Sequence, residues 1–409
     1  MKFQRSLGVL CAASLLAGCS SNPVPDQKEP QTEPTVVQLD DQQRSDGFAL
    51  SWSLYNRLQQ KDENSLFSPL SAIMALGMVE NGISGSTLKE MEQALGLDPK
   101  QFNTIAKASF AQSEDEKKML ALANSMWVNK ELASSLNESY QNLLKEDYHG
   151  EAFLSDFAQK DVYVVNSWIS DHTDGQIQNM IKNLNDDTAV LLINALSFEA
   201  PWMDEFTDAQ VQLTDFTDID GVVKSVPMLC GSEYSCIETD QLEGCRLPYE
   251  NPRYSLILLL PKEEDLNTAL EKTDAAPLLK AVNESEGKEV NFKFPQFELE
   301  QKLSLIDPLK EMGMNEIFEN GDFSGMMSED SSRLFISNIL QKSLLTVNQK
   351  GTKGASTTEV EIKTTSAMPD ENPIELTYDR PFFYIVMDER TNVPVFMGSV
   401  QKADCLIEK

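Results

Sequence analysis

Apolar residues recur at helical spacing early in the chain and at strand spacing later. Phe48, Leu50, Trp52, Leu54, Tyr55 and Leu58 follow a helical period, as do Ala72, Ile73, Leu76 and Val79. Thr87-Leu88-Lys89-Glu90 has the spacing of a capping box and predicts the opening of another short helix. Residues 161–169 predict a further helix, closed by a turn at Thr173-Asp174-Gly175. Beyond residue 189 the pattern changes. Residues 189–194, 254–260 (stopped by Pro261), 290–294 and 344–347 are apolar runs of the kind that form strands. Helices first and strands later, with no linker-like stretch between residues 45 and 409 and no internal repeat, predict one large α+β domain.

One segment carries both a strand pattern and a loop composition. In residues 351–363 the even positions are Thr352, Gly354, Ser356, Thr358, Val360 and Ile362, small and then β-branched, never charged. The odd positions, Lys353, Ala355, Thr357, Glu359, Glu361 and Lys363, hold every charge. Such alternation suits a strand with one buried face. Yet the first half is small and polar, and Met368-Pro369-Asp370-Glu371-Asn372-Pro373 follows as a loop. An ordinary linker or edge strand would read the same way. A loop that becomes a central strand is the sharper reading.

Downstream, Leu376-Thr377-Tyr378-Asp379-Arg380-Pro381-Phe382-Phe383-Tyr384-Ile385-Val386 resembles, position for position, the C-terminal signature of the serpin family, and Pro394-Val395-Phe396-Met397-Gly398 resembles its last strand. Asn64 to Ser71, Asn194 to Phe198 with Pro201, Trp202 and Phe206, Val226-Pro227-Met228, Leu247-Pro248-Tyr249, Phe294-Pro295-Gln296-Phe297 and Asp322-Phe323-Ser324-Gly325 are similar to family blocks in the family's order. The similarity spans roughly residues 45–402.

The resemblance implies a serpin fold, three β-sheets with eight or nine helices, and an exposed reactive-centre loop at about residues 350–375. It implies a suicide inhibitor. A serine protease acylates itself on the loop, and the cut loop then enters the main sheet and carries the trapped enzyme with it. Insertion needs a permissive hinge, here Gly351, Thr352, Gly354, Ala355, Ser356 and Thr358. Lys353 replaces the family's usual acid but takes the outward parity. Loop-length counting favours cleavage at Thr365–Ser366, with Lys363, Thr364 and Met368 as alternatives, because residues 365–381 are longer than the family's usual segment. A Thr365 site suits elastase-like or subtilisin-like proteases; a Lys363 site suits trypsin-like ones. The family's shutter maps to Ser68, Ser71 and Asn194, with Gln341 where a histidine is usual. A non-inhibitory serpin acting as a surface binding module is the alternative.

The front of the chain adds an address. Lys2 and Arg5 precede an apolar stretch, residues 7–16, too short to span a bilayer, and Leu16-Ala17-Gly18-Cys19 looks like a bacterial lipobox. Residues 1–18 then read as a signal peptide, Cys19 as the lipid-carrying thiol, and residues 19–44, with four prolines, as a tether to the domain at 45–409. A plain signal peptide is the other reading. Ser20 suggests an outer-membrane or cell-surface location by analogy with Gram-negative sorting.

Charge and composition mostly exclude. The formal net charge is −31, and losing residues 1–18 makes it two more negative. A polyanion does not bind nucleic acid by neutralising phosphates. Glu116-Lys117-Lys118 is too short for a polyanion-binding cluster. With two histidines, no Cys-x-x-Cys, no Gly-x-Ser-x-Gly and no phosphate loop, no metal, cofactor or enzymatic activity is expected, and a monomer is. Cys230, Cys236, Cys245 and Cys405 remain after Cys11 and Cys19 are accounted for. Cys236 and Cys245 flank a polar stretch and either bridge a hairpin in an oxidising compartment or stay as buried thiols.

Overall fold

The computed structural model describes residues 37–110, 119–132, 135–185, 188–285, 287–327, 334–352 and 372–408. Its first half holds helices α1 (Asp41–Leu58), α2 (Pro69–Glu80), α3 (Gly85–Leu95), α4 (Pro99–Ser109), α5 (Glu138–Asp147) and α6 (Asp161–His172), with strands β1 (Ser65–Phe67), β2 (Leu120–Asn129), β3 (Gly150–Ser155) and β4 (Val190–Phe198) among and after them. The second half is mostly strand: β5 (Ala200–Pro201), β6 (Val211–Thr217), β7 (Val223–Glu233), β8 (Cys236–Glu238), β9 (Leu242–Pro248), β10 (Tyr254–Pro261), β11 (Val290–Pro295), β12 (Phe297–Ser304), β13 (Ile336–Asn348), β14 (Gly351–Thr352), β15 (Ile374–Thr377), β16 (Phe382–Asp388) and β17 (Pro394–Val400). Helices α7 (Leu266–Glu271), α8 (Ala275–Asn283) and α9 (Ile306–Glu311) bring the α-helices among the described residues to nine.

Local chemistry sets the helix starts. Asp40 caps α1 and Asp98 caps α4, each in a reciprocal box with the glutamine three residues on, Gln43 and Gln101. Ser68 caps α2, and Pro69 occupies the first turn, where its missing N–H costs nothing. The box expected at Thr87–Glu90 is not one. The cap position of α3 is Ser84, and Thr87 lies inside the helix, donating its hydroxyl to Glu316. Glu90 reaches the backbone N–H groups of Asn315 and Glu316 instead of its own helix start.

Three sheets follow the strand patterning. The six-stranded sheet, β1-β17-β16-β10-β9-β8, is antiparallel, and every residue of β10, β16 and β17 is buried. In the four-stranded sheet, β15-β11-β7-β6, β15 runs parallel to β11. Among the described residues the main sheet has seven strands, with β3, β2, β4 and β13 side by side and β12 on the far side of β13. Alternating burial along β12 and β13 gives this sheet one covered face. Helix α2, buried along its whole length, lies in the core beside it and is mostly apolar for that reason, with Ser71 and Glu80 as buried exceptions.

Candidate functional site

The site is the seam at the middle of the main sheet. Here β4 and β13 run parallel and pair directly, from Ile336 opposite Val190 to Leu344 opposite Ser197. A parallel pair with no strand between its members is the place where one more antiparallel strand fits. Past Ser197 the two strands part, and β14 occupies the opening. Thr352 pairs with Val347 on one side and Ala200 on the other, and Gly351 pairs with Asn348 and Pro201.

This first rung explains its own residues. Gly351 has φ +142°, and a Cβ there would lie 2.2 Å from the Ala200 carbonyl oxygen, so glycine is required. Thr352 is 1% exposed, and its hydroxyl meets that of Tyr249. Trp202 stacks on Tyr249 with centroids 4.7 Å apart, its ring N–H donates to Asn348 O at 2.8 Å, and its backbone N–H donates to Lys350 O at 3.1 Å. Phe206 N–H adds a bond to Gln349 O at 3.0 Å. Burial pushes the Tyr249 phenol well above its usual pKa, so it stays a protonated hydroxyl beside Thr352. Trp202 and Tyr249 thus hold the turn at residues 348–351 in the mouth of the seam.

Beyond Thr352, the hinge residues Gly354, Ala355, Ser356 and Thr358 and the cleavage candidates Lys363, Thr364, Thr365, Ser366 and Met368 lie outside the described residues, as does Cys19. The chain returns in the four-stranded sheet, where Ile374 pairs with Val290. The segment therefore joins two different sheets.

Lower in the seam, the four shutter residues divide into two groups. Gln341 Oε1 accepts from Ser68 N–H at 2.9 Å, and Gln341 Nε2 donates to Ser68 O at 2.8 Å. Ser68 Oγ donates to Val395 O at 2.7 Å and accepts from Ser71 N–H at 3.2 Å. These bonds tie β13, α2 and β17 together. Asn194 sits opposite Gln341 in register, but its amide donates to Asn124 Oδ1, whose own Nδ2 donates to Tyr148 O at 2.9 Å. Among the described residues, the Oγ atoms of Ser71, Ser197 and Ser343 and Oδ1 of Asn194 are buried without a hydrogen-bond partner. Three of these atoms lie on β4 and β13 and the fourth on α2, and each is a cost that the fold carries.

Asn124 and Tyr249 are site residues that the sequence did not single out. Asn124 sits inside the β2 run, and Tyr249 belongs to the Leu247-Pro248-Tyr249 block without a role attached. A buried asparagine in an apolar strand is the available signal for the first.

Elsewhere, His172 stacks on Trp168 with Nδ1 against Trp168 O, and His149 stacks on Phe110. Among the described residues, no group of three or more His, Cys, Asp or Glu side chains is placed to hold a metal, and no helix is long and apolar enough to cross a membrane.

Comparison with known proteins agrees with this architecture. The serpin (serine protease inhibitor) family matches residues 46–403. An uncharacterised serpin-like protein of Thermococcus kodakarensis is 29% identical over 91% of this chain and 86% of its own length. Human neuroserpin is 28% identical over 87% of this chain and 91% of its own. Among solved structures, the thermophilic serpin tengpin in its native state superposes with a TM-score of 0.81 at 28% identity, covering 89% of this chain and 95% of tengpin. Tengpin in its latent state gives 0.76 at 26% identity, covering 89% and 98%. The chain belongs to the serpin family. Serpins are generally inhibitors of proteases rather than enzymes.

Proposed function

We propose that this chain is a suicide-substrate inhibitor of serine proteases, held by lipid on Cys19 at the surface of a bacterial cell. The observation that carries the reading is the seam with its mouth open. One rung of an additional strand, Gly351–Thr352, is in place, while β4 and β13 stay paired below it.

The protease serine adds to the carbonyl carbon of the scissile bond, forming an ester to the loop's N-terminal part as the peptide bond breaks and the amine side departs. Freed at that end, the loop extends the rung. Residues from Gly354 onward separate β4 from β13 and pair with both. One parallel ladder is replaced by two antiparallel ones, and the added bonds contribute roughly 0.5–1.5 kcal/mol each. A strand of about fourteen residues carries the ester roughly 46 Å along the sheet. A protease dragged that far and pressed against the inhibitor loses the alignment that deacylation needs, which tolerates about 1 Å. The uncut protein is then a kinetically held state. Cleavage at Thr365–Ser366 suits elastase-like or subtilisin-like enzymes; cleavage at Lys363 suits trypsin-like ones.

The test is incubation with a panel of these proteases followed by denaturing gel electrophoresis. A band at the summed mass of inhibitor and protease is expected for at least one class. Loop cleavage by every class with no such band would replace this reading with that of a non-inhibitory surface binding module.

A further inference from the structure

Strands β8 and β9 form the hairpin at the edge of the six-stranded sheet, and among the described residues β8 has β9 as its one sheet neighbour. Cys236 and Cys245 stand directly opposite each other in this hairpin. The turn sets their pair type. Thr239 N–H donates to Leu242 O at 2.8 Å, while Leu242 N–H turns to Thr239 Oγ1, so Thr239 and Leu242 stand at a hydrogen-bonding position of the ladder. Pair types alternate along an antiparallel ladder. Glu238 with Glu243 is then a non-hydrogen-bonded pair, Ile237 with Gly244 a bonded one, and Cys236 with Cys245 a non-bonded one. Non-bonded partners have Cα atoms about 4.5 Å apart and side chains on the same face. That Cα spacing lies inside the range a disulfide spans. Among the described residues, Cys230 and Cys405 have no such partner: Cys230 faces Lys293 in register, and Cys405 Sγ lies against Lys402 O.

We propose that Cys236 and Cys245 are a redox-sensitive pair, free thiols in a reducing medium and a cross-strand disulfide in an oxidising one. The oxidant is a disulfide, either a small-molecule one or that of a dithiol–disulfide oxidoreductase. The half-buried Cys236 loses its proton and attacks one sulfur of the oxidant, forming a mixed disulfide and releasing the first thiol. Cys245 then loses its proton and attacks Cys236 Sγ, closing the bridge and releasing the second. Two cysteine thiols are oxidised and one external disulfide is reduced to two thiols.

Three observations shape the chemistry. Cross-strand Cβ atoms in such pairs generally sit somewhat wider than a disulfide prefers, so closure draws β8 inward. An edge strand of three residues allows this, and a bridge closed under such tension is easier to reduce than a structural one. Burial, with Glu238 next in effect, raises the Cys236 thiol, and burial pushes Cys245 up to about 12. Few thiolates are present at neutral pH, so oxidation is slow unless the oxidant is concentrated or catalytic. Finally, Cys245 Sγ lies 3.6 Å from Tyr378 Oη, which donates to Leu258 O at 2.9 Å and can therefore accept from the thiol. Tyr378 follows β15, the strand on which the loop rejoins the fold. Oxidation removes the thiol hydrogen from that contact.

The experiment holds the native full-length chain in oxidised or reduced glutathione, blocks remaining thiols under denaturing conditions, and digests with trypsin and a glutamyl endopeptidase. Cleavage after Lys224, Glu233, Glu238, Glu243 and Arg246 separates Cys230, Cys236 and Cys245 into different peptides. The expected product in oxidised glutathione is residues 234–238 joined to residues 244–246, lighter than the two free peptides by two hydrogens and absent after mild reduction. Cys236→Ser should abolish it, and the thermal midpoint of the wild type, unlike that of the variant, should rise on oxidation. Full alkylation of both cysteines after oxidation would overturn the proposal. So would capture of Cys230 by either partner, or a stable glutathione adduct on Cys236 that never resolves.

Discussion

Replacing Thr352 with arginine places a cation in the first rung of the strand that, in the proposed mechanism, grows. Thr352 is 1% exposed, and its partners Val347, Ala200 and Tyr249 carry no charge to meet a guanidinium. An unpaired buried charge costs several kcal/mol even after relaxation, and losing the bond to Tyr249 adds about 1 kcal/mol. The side chain must leave the seam, and the rung leaves with it. If only about 3 kcal/mol of this reaches the insertion barrier, insertion slows about a hundredfold. Hydrolysis of the acyl-enzyme then overtakes trapping. Against a protease that the wild type traps, Thr352→Arg should be cut at a similar rate, give no covalent band, and require about a hundred times more inhibitor per enzyme silenced. Thr352→Val keeps the shape and loses only the hydroxyl, so it should still trap. A Thr352→Arg variant that traps as well as the wild type would refute insertion through this seam.

The other predictions concern the shutter, a buried acid and the anchor. Gln341→Leu leaves the buried Ser68 N–H unpaired, though Ser68 O keeps its bond to Ala72, at a cost of about 1–3 kcal/mol; a thermal scan should show a midpoint several degrees lower, and an unchanged midpoint would mean the pair carries no stability. Glu80, 1% exposed with neither carboxylate oxygen partnered among the described residues, is pushed up to about 9 by burial, with Glu92 and Asp98 adding to it. Its folded pKa stands above the unfolded one, so the fold loses stability as pH rises from about 4.5 towards 9; Glu80→Gln should unfold later than wild type at pH 8 and match it near pH 4, and equal pH profiles would refute this. Cys19→Ala should move the protein from the membrane fraction to the soluble one in cells that process lipoproteins, and unchanged membrane association would refute the anchor.

Much of this site was legible as pattern, and the rest depends on contacts between distant parts of the chain. The inward parity of Thr352 follows from alternation alone, because side-chain period in a strand is a property of the backbone. The block that holds Trp202 was marked by resemblance. Tyr249, which meets Thr352 from 103 residues away, has no local signature. The shutter shows the same limit. Ser68 and Gln341 come together across 273 residues, whereas Asn194 turns to Asn124, a neighbour set by the β2–β4 register. At Thr87 the local motif misled, because its hydroxyl and the Glu90 carboxylate serve the turn at Glu316 instead of a helix cap. The pairing of Cys236 with Cys245 rests on a two-residue turn at Asp240–Gln241, which sets the register; their spacing alone left it open.

The central claim is that the uncut loop keeps the main sheet from a strand that belongs in it. Cutting the loop and melting the product tests this most directly. Most nicks weaken a protein, because they add freedom to the unfolded chain. Here a cut near Thr365 frees residues 353–363 to continue the rung at Gly351–Thr352. A second ladder then forms along β4 and β13, where eight residue pairs now make one. Val360 and Ile362, on the inward parity of that strand, contribute roughly 1.5–3 kcal/mol each when buried. Melting curves of the intact and the cleaved protein, with mass spectrometry locating the cut, should show the cleaved form melting well above the intact one. A cleaved form that melts at or below the intact protein would contradict the account.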